Sequence, residues 1–294
     1  MFFVFFSLLM CAEERIIDQY GVRYTTVKKL DGNQLDFVIL PGGPGADSAY
    51  CKGLIESVNF PGNVYLMDLP GSGSNTNVGP DYDYNEWLNI FIPSLKRFKN
   101  LVLIGHSFGG MLPLLFPCLE TKLKGFIAID SAPSLWVEEA VKYAKKFNVP
   151  DLTKELTAFN DDPCQKKFDV ALNACMPYYF HPDFLTTGKA LLADLPFQYR
   201  PACWWQHKSV EMNYDARWIP KTVPTLIING DFDLITPYYL FSRDKRFERP
   251  NIKIVCIADA GHMPWVEQPE KTRNTIMPFV QKLSQDLKKR RSKL

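Results

Sequence analysis

The sequence lacks the residue patterns that several large classes of protein require. Its 34 Lys and Arg residues are balanced by 32 Asp and Glu residues, which leaves a formal net charge of +2 over 294 residues. This balance excludes the extended basic surface of a nucleic-acid-binding protein. The seven cysteines are scattered without a C-x-x-C pair, and the four histidines form no H-E-x-x-H motif. We therefore expect reduced structural thiols, no metal and no cofactor.

Long apolar runs are also missing. The most apolar segment, Phe2 to Met10, is too short to span a bilayer, and no Lys or Arg precedes it as in a secretory signal. We favour a cytoplasmic protein in which this segment forms a covered N-terminal strand, with export as the alternative. The chain ends in Ser292-Lys293-Leu294, a peroxisomal address that has meaning only in a eukaryote.

Short apolar runs instead alternate with helical patterns. The runs are residues 37–40, 64–67, 101–104, 126–129, 225–228 and 252–257. Short apolar strands separated by helices indicate a mostly parallel sheet that is flanked by helices and covered on both faces. Residues 131–220 are instead rich in aromatic residues and proline. We predict an α/β fold with a core of residues 1–130 and 221–294, an inserted helical lid at 131–220, and a closing helix from Pro269.

The clearest motif is Gly105-His106-Ser107-Phe108-Gly109, which lies between the third apolar run and a further apolar segment. This order predicts a strand, a sharp turn and a helix. G-x-S-x-G at such a junction is typical of a nucleophile elbow, in which the small flanking residues let the turn close. The serine then adopts a strained conformation with its Oγ exposed. We predict that Ser107 is a nucleophile.

A serine hydroxyl needs a base that takes its proton and a carboxylate that orients the base. His262 lies in the loop after the last predicted strand, and Asp233 lies in the loop after the strand before it. The order Ser, Asp, His is that of α/β-hydrolases. We predict His262 as the base and prefer Asp233 to Asp231 and Asp259 as the acid. Asp130, which ends the fourth predicted strand, is the alternative acid.

The oxyanion formed at a substrate carbonyl needs two or more preorganised hydrogen-bond donors. The amide of Phe108, at the start of the helix after the elbow, is one candidate. The second is expected from the glycine-rich loop Pro41-Gly42-Gly43-Pro44-Gly45, which follows the first predicted strand. Because Pro44 has no N–H, we predict Gly43 as the second donor.

These segments together resemble the α/β-hydrolases of the proline iminopeptidase branch, from about residue 21 to residue 287. The resemblance rests on the glycine-rich loop, residues 68–74, the elbow, residues 230–237 and Gly261-His262. Pro41 stands where the family usually has the histidine of H-G-G-P-G, and residues 68–74 depart from the family's D-Q-R-G-x-G-x-S. The resemblance implies a serine hydrolase with a lid above the substrate pocket.

The resemblance also implies lid glutamates that hold the free α-amine of a substrate. If Tyr179 is matched to the tyrosine of the family's E-N-x-Y-F pattern, Met176 occupies the glutamate position. Glu211 or Asp215, near the end of the lid, could replace it. We predict Met176, Tyr179, Trp204 and Glu211 as residues that bind substrate.

Three other histidines and one aspartate complete the candidates. His106, His181 and His207 have no metal-ligand spacing and are expected in the core, at the surface or in a pocket wall. Asp68, at the end of its strand, is expected to fix a loop by accepting hydrogen bonds rather than to act as a second nucleophile.

The sequence thus predicts a cofactor-independent serine hydrolase that cleaves an ester or amide bond through an acyl-enzyme. Aminopeptidase and carboxylesterase activities are close rivals, and the glycine-rich loop slightly favours the aminopeptidase. A catalytically silent hydrolase-fold binding protein is the alternative from another class. The expected partner is a small molecule or short peptide, not a nucleic acid or a membrane, and the oligomeric state does not follow from the sequence.

Overall fold

The computed structural model describes residues 14–291. The apolar segment Phe2 to Met10 and the terminal Ser292-Lys293-Leu294 lie outside the described residues, so the expectations attached to them stay predictions. Within the described part, no helix is long and apolar enough to cross a membrane. The cysteines of this part, from Cys51 to Cys256, are free thiols.

Within residues 14–291, eight strands form one sheet. They are β1 (Glu14–Ile17), β2 (Arg23–Lys28), β3 (Leu35–Leu40), β4 (Gly62–Asp68), β5 (Leu101–His106), β6 (Gly125–Ile129), β7 (Thr225–Gly230) and β8 (Ile252–Ile257). Their order in the sheet is β1-β2-β4-β3-β5-β6-β7-β8. β2 pairs antiparallel with β1 and with β4, and the remaining pairs are parallel. The mostly parallel sheet predicted from the sequence is confirmed, and β1 and β2 form an antiparallel edge that sequence analysis missed.

Helices cover the sheet on both faces. They are α1 (Lys52–Val58), α2 (Glu86–Ser94), α3 (Phe108–Met111), α4 (Val137–Ala144), α5 (Thr153–Asp161), α6 (Gln165–Tyr179), α7 (Leu185–Ala193), α8 (Tyr199–Glu211), α9 (Tyr239–Arg243), α10 (Pro264–Glu267) and α11 (Pro269–Arg291). Successive side chains of a strand point to opposite faces. Leu101 and Leu103 of β5 accordingly pack into one hydrophobic cluster, and Val102 and Ile104 pack into the other. Apolar runs without alternation therefore fit strands buried on both sides.

The segment predicted as a lid holds helices α4 to α8, between β6 and β7. Just before α8 it pairs with the glycine-rich loop, because Phe197 forms an antiparallel bridge with Ala46. The N–H of Asp47 donates to the carbonyl of Pro196 at 3.1 Å, and the N–H of Gln198 donates to the carbonyl of Gly45 at 2.9 Å. These bonds hold the helical segment beside the predicted oxyanion loop. The division of the chain at residues 131 and 220 stays a prediction.

Asp68 joins two loops beneath this region, as expected from the sequence. It is fully buried at the end of β4 and accepts hydrogen bonds from the N–H and Oγ of Ser48 at 2.8 and 2.7 Å. The guanidinium of Arg23 donates to Asp68 at 2.9 Å and to Asp47 at 3.3 Å. The carboxylate therefore fixes the chain that follows the glycine-rich loop.

Candidate active site

Ser107 occupies a strained turn between β5 and α3. Its φ of 52° and ψ of −122° lie outside the regions that ordinary residues favour. A Cβ at Gly105 would lie 2.0 Å from the carbonyl oxygen of Gly109, and a Cβ at Gly109 would lie 2.3 Å from the carbonyl oxygen of Leu40. The two glycines are thus required by close backbone approach, which is the physical reason for the G-x-S-x-G spacing.

His262 and Asp233 form a buried hydrogen-bonded pair. The Nδ1 of His262 lies 2.8 Å from Oδ2 of Asp233, and the two side chains are 1% and 0% exposed. Asp233 also accepts from the N–H groups of Ile235 and Thr236 at 2.8 and 2.9 Å, and from the Thr236 hydroxyl at 2.6 Å. A carboxylate held by so many donors stays an acceptor, so His262 Nδ1 carries the proton. This tautomer leaves Nε2 as the basic atom.

The other two aspartates of these loops lie elsewhere. Asp231 accepts a long hydrogen bond of 3.4 Å from the N–H of Ala260. Asp259 is exposed and pairs with Lys271 at 3.2 Å. The contact with His262 is made by Asp233, which is the residue preferred from the sequence.

Asp130 lies beside this pair with no exposed surface. One oxygen accepts from the N–H of Gly230 at 2.7 Å, while Oδ2 has no hydrogen-bond partner in the described part of the chain. Ligand-type atoms of Asp130, Asp233 and His262 all lie within 4.8 Å of one another. Burial, and then the Asp233 carboxylate, raise the pKa of Asp130 well above its usual range. This spacing would suit a metal ion, but Asp233 already accepts four hydrogen bonds. The cluster is therefore better explained as a pair of carboxyl groups that share one retained proton than as a metal site.

The two predicted oxyanion donors flank the serine. Phe108 is the first residue of α3, where backbone N–H groups have no partner within the helix. Gly43 has a φ of 110° and lines the same cavity as Ser107. A Cβ on the neighbouring Gly42 would lie 2.8 Å from Cβ of Ser107, so the glycine-rich loop passes directly over Ser107. Their role as donors stays a prediction.

A hydrogen-bond relay behind the serine was missed by sequence analysis. The N–H of Gly42 donates to the Tyr50 hydroxyl at 2.6 Å, and that hydroxyl lies 2.5 Å from His106 Nδ1. His106 Nε2 lies 2.7 Å from the carbonyl oxygen of His262 and must donate to it. Burial, and then His262, lower the pKa of His106 well below its usual range, which keeps the ring neutral. The relay joins the oxyanion loop to the histidine loop, and makes His106 a wall residue as predicted.

Glu267 is a second residue that sequence analysis missed. It is 3% exposed and accepts hydrogen bonds of 2.7 Å from the N–H groups of His181 and Gly261. Burial is the main cause that raises its pKa to about 7. Glu267 thereby ties the chain after α6 to the loop that carries His262.

Ser107 and His262 line one small cavity of about 20 Å³. Tyr179 lies in its wall and meets the ring of His262 edge to face at 5.0 Å. The N–H of His262 donates to the carbonyl of Tyr179 at 2.6 Å. Phe197 and Met263 complete the apolar side.

The remaining predicted substrate residues lie farther out. Met176 is buried and lines an adjoining cavity between α6 and α7. Trp204 packs edge to face on the ring of Phe108 at 6.4 Å. Glu211 is exposed at the end of α8 and pairs with Lys208 at 3.1 Å, and Asp215 pairs with Arg246 at 2.6 Å. The structure therefore does not bring Trp204, Glu211 or Asp215 into the small cavity, since packing and ion pairs hold them elsewhere.

The two remaining histidines lie away from the small cavity. His207 is exposed on α8 and its Nδ1 lies 2.8 Å from the carbonyl oxygen of Cys203. His181 meets the ring of Phe232 edge to face at 4.9 Å. These are the surface and packing positions expected from the sequence.

The chain is similar to known sequences and structures. The sequence model of the alpha/beta hydrolase family matches residues 37–275, which is most of the chain. The chain belongs to the alpha/beta hydrolase family. It is 31% identical to the proline iminopeptidase of Clostridium botulinum, with 90% of this chain and 96% of that protein covered. It is 26% identical to the pimeloyl-[acyl-carrier protein] methyl ester esterase of Wigglesworthia glossinidia brevipalpis, with 82% and 92% covered.

Among solved structures, this alpha/beta hydrolase is similar to the proline iminopeptidase-related protein of Thermus thermophilus. The TM-score is 0.71 at 18% identity, with 92% of this chain and 98% of that chain covered. At this identity the likeness concerns the fold. The resemblance to proline iminopeptidase-type hydrolases, and the hydrolase fold predicted from the sequence, are both confirmed.

Proposed function

We propose that this alpha/beta hydrolase is a serine hydrolase that cleaves its substrate through an acyl-enzyme. One observation carries the proposal. Ser107 occupies a strained strand-to-helix turn and shares a cavity with His262, whose Nδ1 is bonded to the buried carboxylate of Asp233 at 2.8 Å. A nucleophile, a base and an orienting acid are together the requirement for acyl transfer at a carbonyl.

In the proposed reaction, Ser107 Oγ attacks the substrate carbonyl carbon while His262 Nε2 takes the hydroxyl proton. The carboxylate of Asp233 stabilises the resulting imidazolium. Amides of Gly43 and Phe108 hold the negative oxygen of the tetrahedral intermediate. His262 then gives the proton to the leaving group, the bond to that group breaks, and a water molecule activated by His262 releases the acid from Ser107.

The walls of the small cavity favour an ester with an apolar acyl group over a peptide with a free amine. Leu172, Leu192, Phe197 and Met263 contribute apolar side chains, and no Asp or Glu is among its described lining residues. An ammonium group brought into such a wall would lose its hydration without gaining a partner. The similarity to a methyl ester esterase supports the same choice.

Aminopeptidase activity is the second candidate, because the relative with 31% identity is named a proline iminopeptidase. One observation in this chain favours it. Glu138 and Glu139 line a cavity that also includes Gly43, so an amine in that cavity would meet a carboxylate. Glu138 is exposed, and exposed ion pairs contribute at most about 1 kcal/mol, so this contact is a weak one.

The deciding experiment compares p-nitrophenyl esters of graded chain length with alanyl and prolyl p-nitroanilides. We expect faster ester hydrolysis, with a fluorophosphonate adduct mapped to Ser107. Ser107→Ala should lower kcat by about three orders of magnitude or more, and Ser242→Ala on the exposed side of α9 should change nothing. An adduct at another residue would overturn the proposal.

The same screen separates the two candidates. N-acetylation of the alanyl substrate should change kcat/KM by less than about tenfold, a difference under about 1.4 kcal/mol. If acetylation instead abolishes cleavage, the free amine is recognised and the aminopeptidase is the correct choice.

A further inference from the structure

The small cavity at Ser107 is too small for a substrate. Its volume of about 20 Å³ is near that needed for one water molecule. Two larger cavities adjoin it. One, of about 730 Å³, lies between α6 and α7 and shares Leu172, Leu192 and Phe197 with the small cavity. The other, of about 770 Å³, lies between the start of α4 and helix α8 and shares Gly43. We name this second cavity the α4–α8 groove.

The walls of the α4–α8 groove are mostly apolar, although Glu138 and Glu139 at the start of α4 also line it. Leu135, Trp136 and Val137 line one side, and Trp205 and Val210 line the other. Val137 and Val210 are 60% and 67% exposed, so apolar side chains stand in solvent at the rim. Apolar surface of this kind gains free energy when it is covered, and contiguous exposed patches mark binding sites.

The floor of the groove is formed by Trp205, which packs against Phe108 of the nucleophile elbow. Trp205 is 3% exposed and meets the ring of Phe108 edge to face at 4.9 Å. The floor of the groove therefore lies against the residue that follows Ser107 in the chain.

We propose that the α4–α8 groove holds the apolar acyl chain of the substrate, an inference that rests on the proposed serine hydrolase activity. The leaving group must stay beside His262, which protonates it. His262 lines the small cavity, whereas the groove adjoins that cavity at Gly43, the predicted oxyanion donor. The part of the substrate that extends past Gly43 is therefore the acyl part.

The cavity between α6 and α7 suits an apolar chain less well. Three charged residues, Asp169, Lys189 and Asp194, line it, whereas the charged residues that line the α4–α8 groove are Glu138 and Glu139. An alkyl chain placed between α6 and α7 would therefore take hydration from more charged groups. The charged lining instead makes this cavity a control for the test.

The test measures how fast alkyl fluorophosphonates of two chain lengths, ethyl and octyl, label Ser107. Each buried methylene strengthens binding about fourfold, so the octyl probe should react faster with the wild-type protein. Val137→Asp places a short charge in the groove and should lower the octyl-to-ethyl rate ratio about tenfold. Val141→Asp, on the same helix and 53% exposed but outside the groove lining, should leave the ratio within about twofold. Ala193→Asp, in the cavity between α6 and α7, should do the same.

The outcomes separate this inference from the proposed function. If Ser107 is labelled but Val137→Asp leaves the ratio unchanged, the acyl chain does not occupy the α4–α8 groove. If Ala193→Asp lowers the ratio instead, the chain lies between α6 and α7, and the inference is likewise overturned. If neither probe labels Ser107 in the wild-type protein, the serine hydrolase proposal itself fails.

Discussion

Replacing Asp233 by Asn tests which acid serves His262. The change keeps the shape of the side chain but removes its charge and places an NH2 group within reach of His262. The distance from Asp233 Oδ2 to His262 Nδ1 is 2.8 Å and neither side chain is exposed, so water cannot take the place of the carboxylate. An amide that donates at this point favours the ring tautomer with the proton on Nε2, which cannot accept the proton of Ser107. In a Ser-His-Asp protease this change costs about 10⁴ in kcat, which is about 5.5 kcal/mol, and we expect a similar loss here.

Asp130→Asn is the matched control on the neighbouring strand. Burial and the Asp233 carboxylate raise the pKa of Asp130 well above its usual range, so its carboxyl group keeps its proton at pH values where an exposed aspartate has lost it. Asn is neutral as well, and its oxygen can still accept from the N–H of Gly230, which lies 2.7 Å from the carboxyl oxygen. We therefore expect Asp130→Asn to change kcat by less than about tenfold.

The same raised pKa predicts the effect of pH on stability. Above the usual pKa of an aspartate the unfolded chain releases this proton, while the folded protein retains it. The free energy of unfolding of the wild type therefore falls as pH rises toward the raised pKa of Asp130. Asp130→Asn removes this loss, so its stability relative to the wild type should increase from pH 4 to pH 7.

The assay is ester hydrolysis by both variants, with urea denaturation at pH 4 and pH 7. Circular dichroism checks that Asp233→Asn is folded. If Asp130→Asn loses about 10⁴ in kcat while Asp233→Asn stays active, the acid lies after β6 and the reasoning from the 2.8 Å contact is refuted. If the stability of Asp130→Asn relative to the wild type does not increase with pH, the carboxyl group of Asp130 is ionised.

Two further changes test the residues that sequence analysis missed. Tyr50→Phe removes the hydroxyl that accepts a hydrogen bond from the buried N–H of Gly42. Steady-state kinetics should then give a kcat about 10 to 100 times lower with little change in KM. An unchanged kcat would show that the relay does not position the glycine-rich loop. The pKa of Glu267 is raised to about 7, so the free energy of unfolding should fall by up to about 3 kcal/mol as pH rises through the range from 4.5 to 7. Urea denaturation at pH 5 and pH 8 should show this fall in the wild type and a smaller one in Glu267→Gln, whereas equal falls would assign the effect to another group.

Several features could be predicted because their signal is local. The six apolar runs became β3 to β8, since strands buried on both faces read as continuous apolar segments. β1 and β2 were missed because they form the antiparallel edge. β1 carries exposed residues, and β2 mixes Arg23, Thr25 and Thr26 with its apolar positions, so neither presents an apolar run.

Two sets of contacts between distant residues were missed. Tyr50 and His106 are 56 positions apart, and only the parallel packing of the sheet brings the chain after β3 against the end of β5. Neither residue type is unusual for a core, so no spacing in the sequence marks the pair. Glu267 was missed for the same reason, because its two hydrogen-bond donors come from the histidine loop and from the chain after α6.

The sequence by itself determined the nucleophile elbow. Gly105, Ser107 and Gly109 follow one another at intervals of two residues, and the close approach that requires Gly105 is to the carbonyl of Gly109 in the same turn. The close approach that requires Gly109 is to the carbonyl of Leu40 at the end of β3. The sequence favoured Asp233 as the partner of His262 but left Asp130 open, and the tertiary structure decided between them. It also decided which residues of α4 to α8 adjoin Ser107. Both depend on how separate strands and helices are placed relative to one another. Burial of apolar surfaces that are far apart in the chain sets this placement, and a sequence pattern does not contain the distances between them.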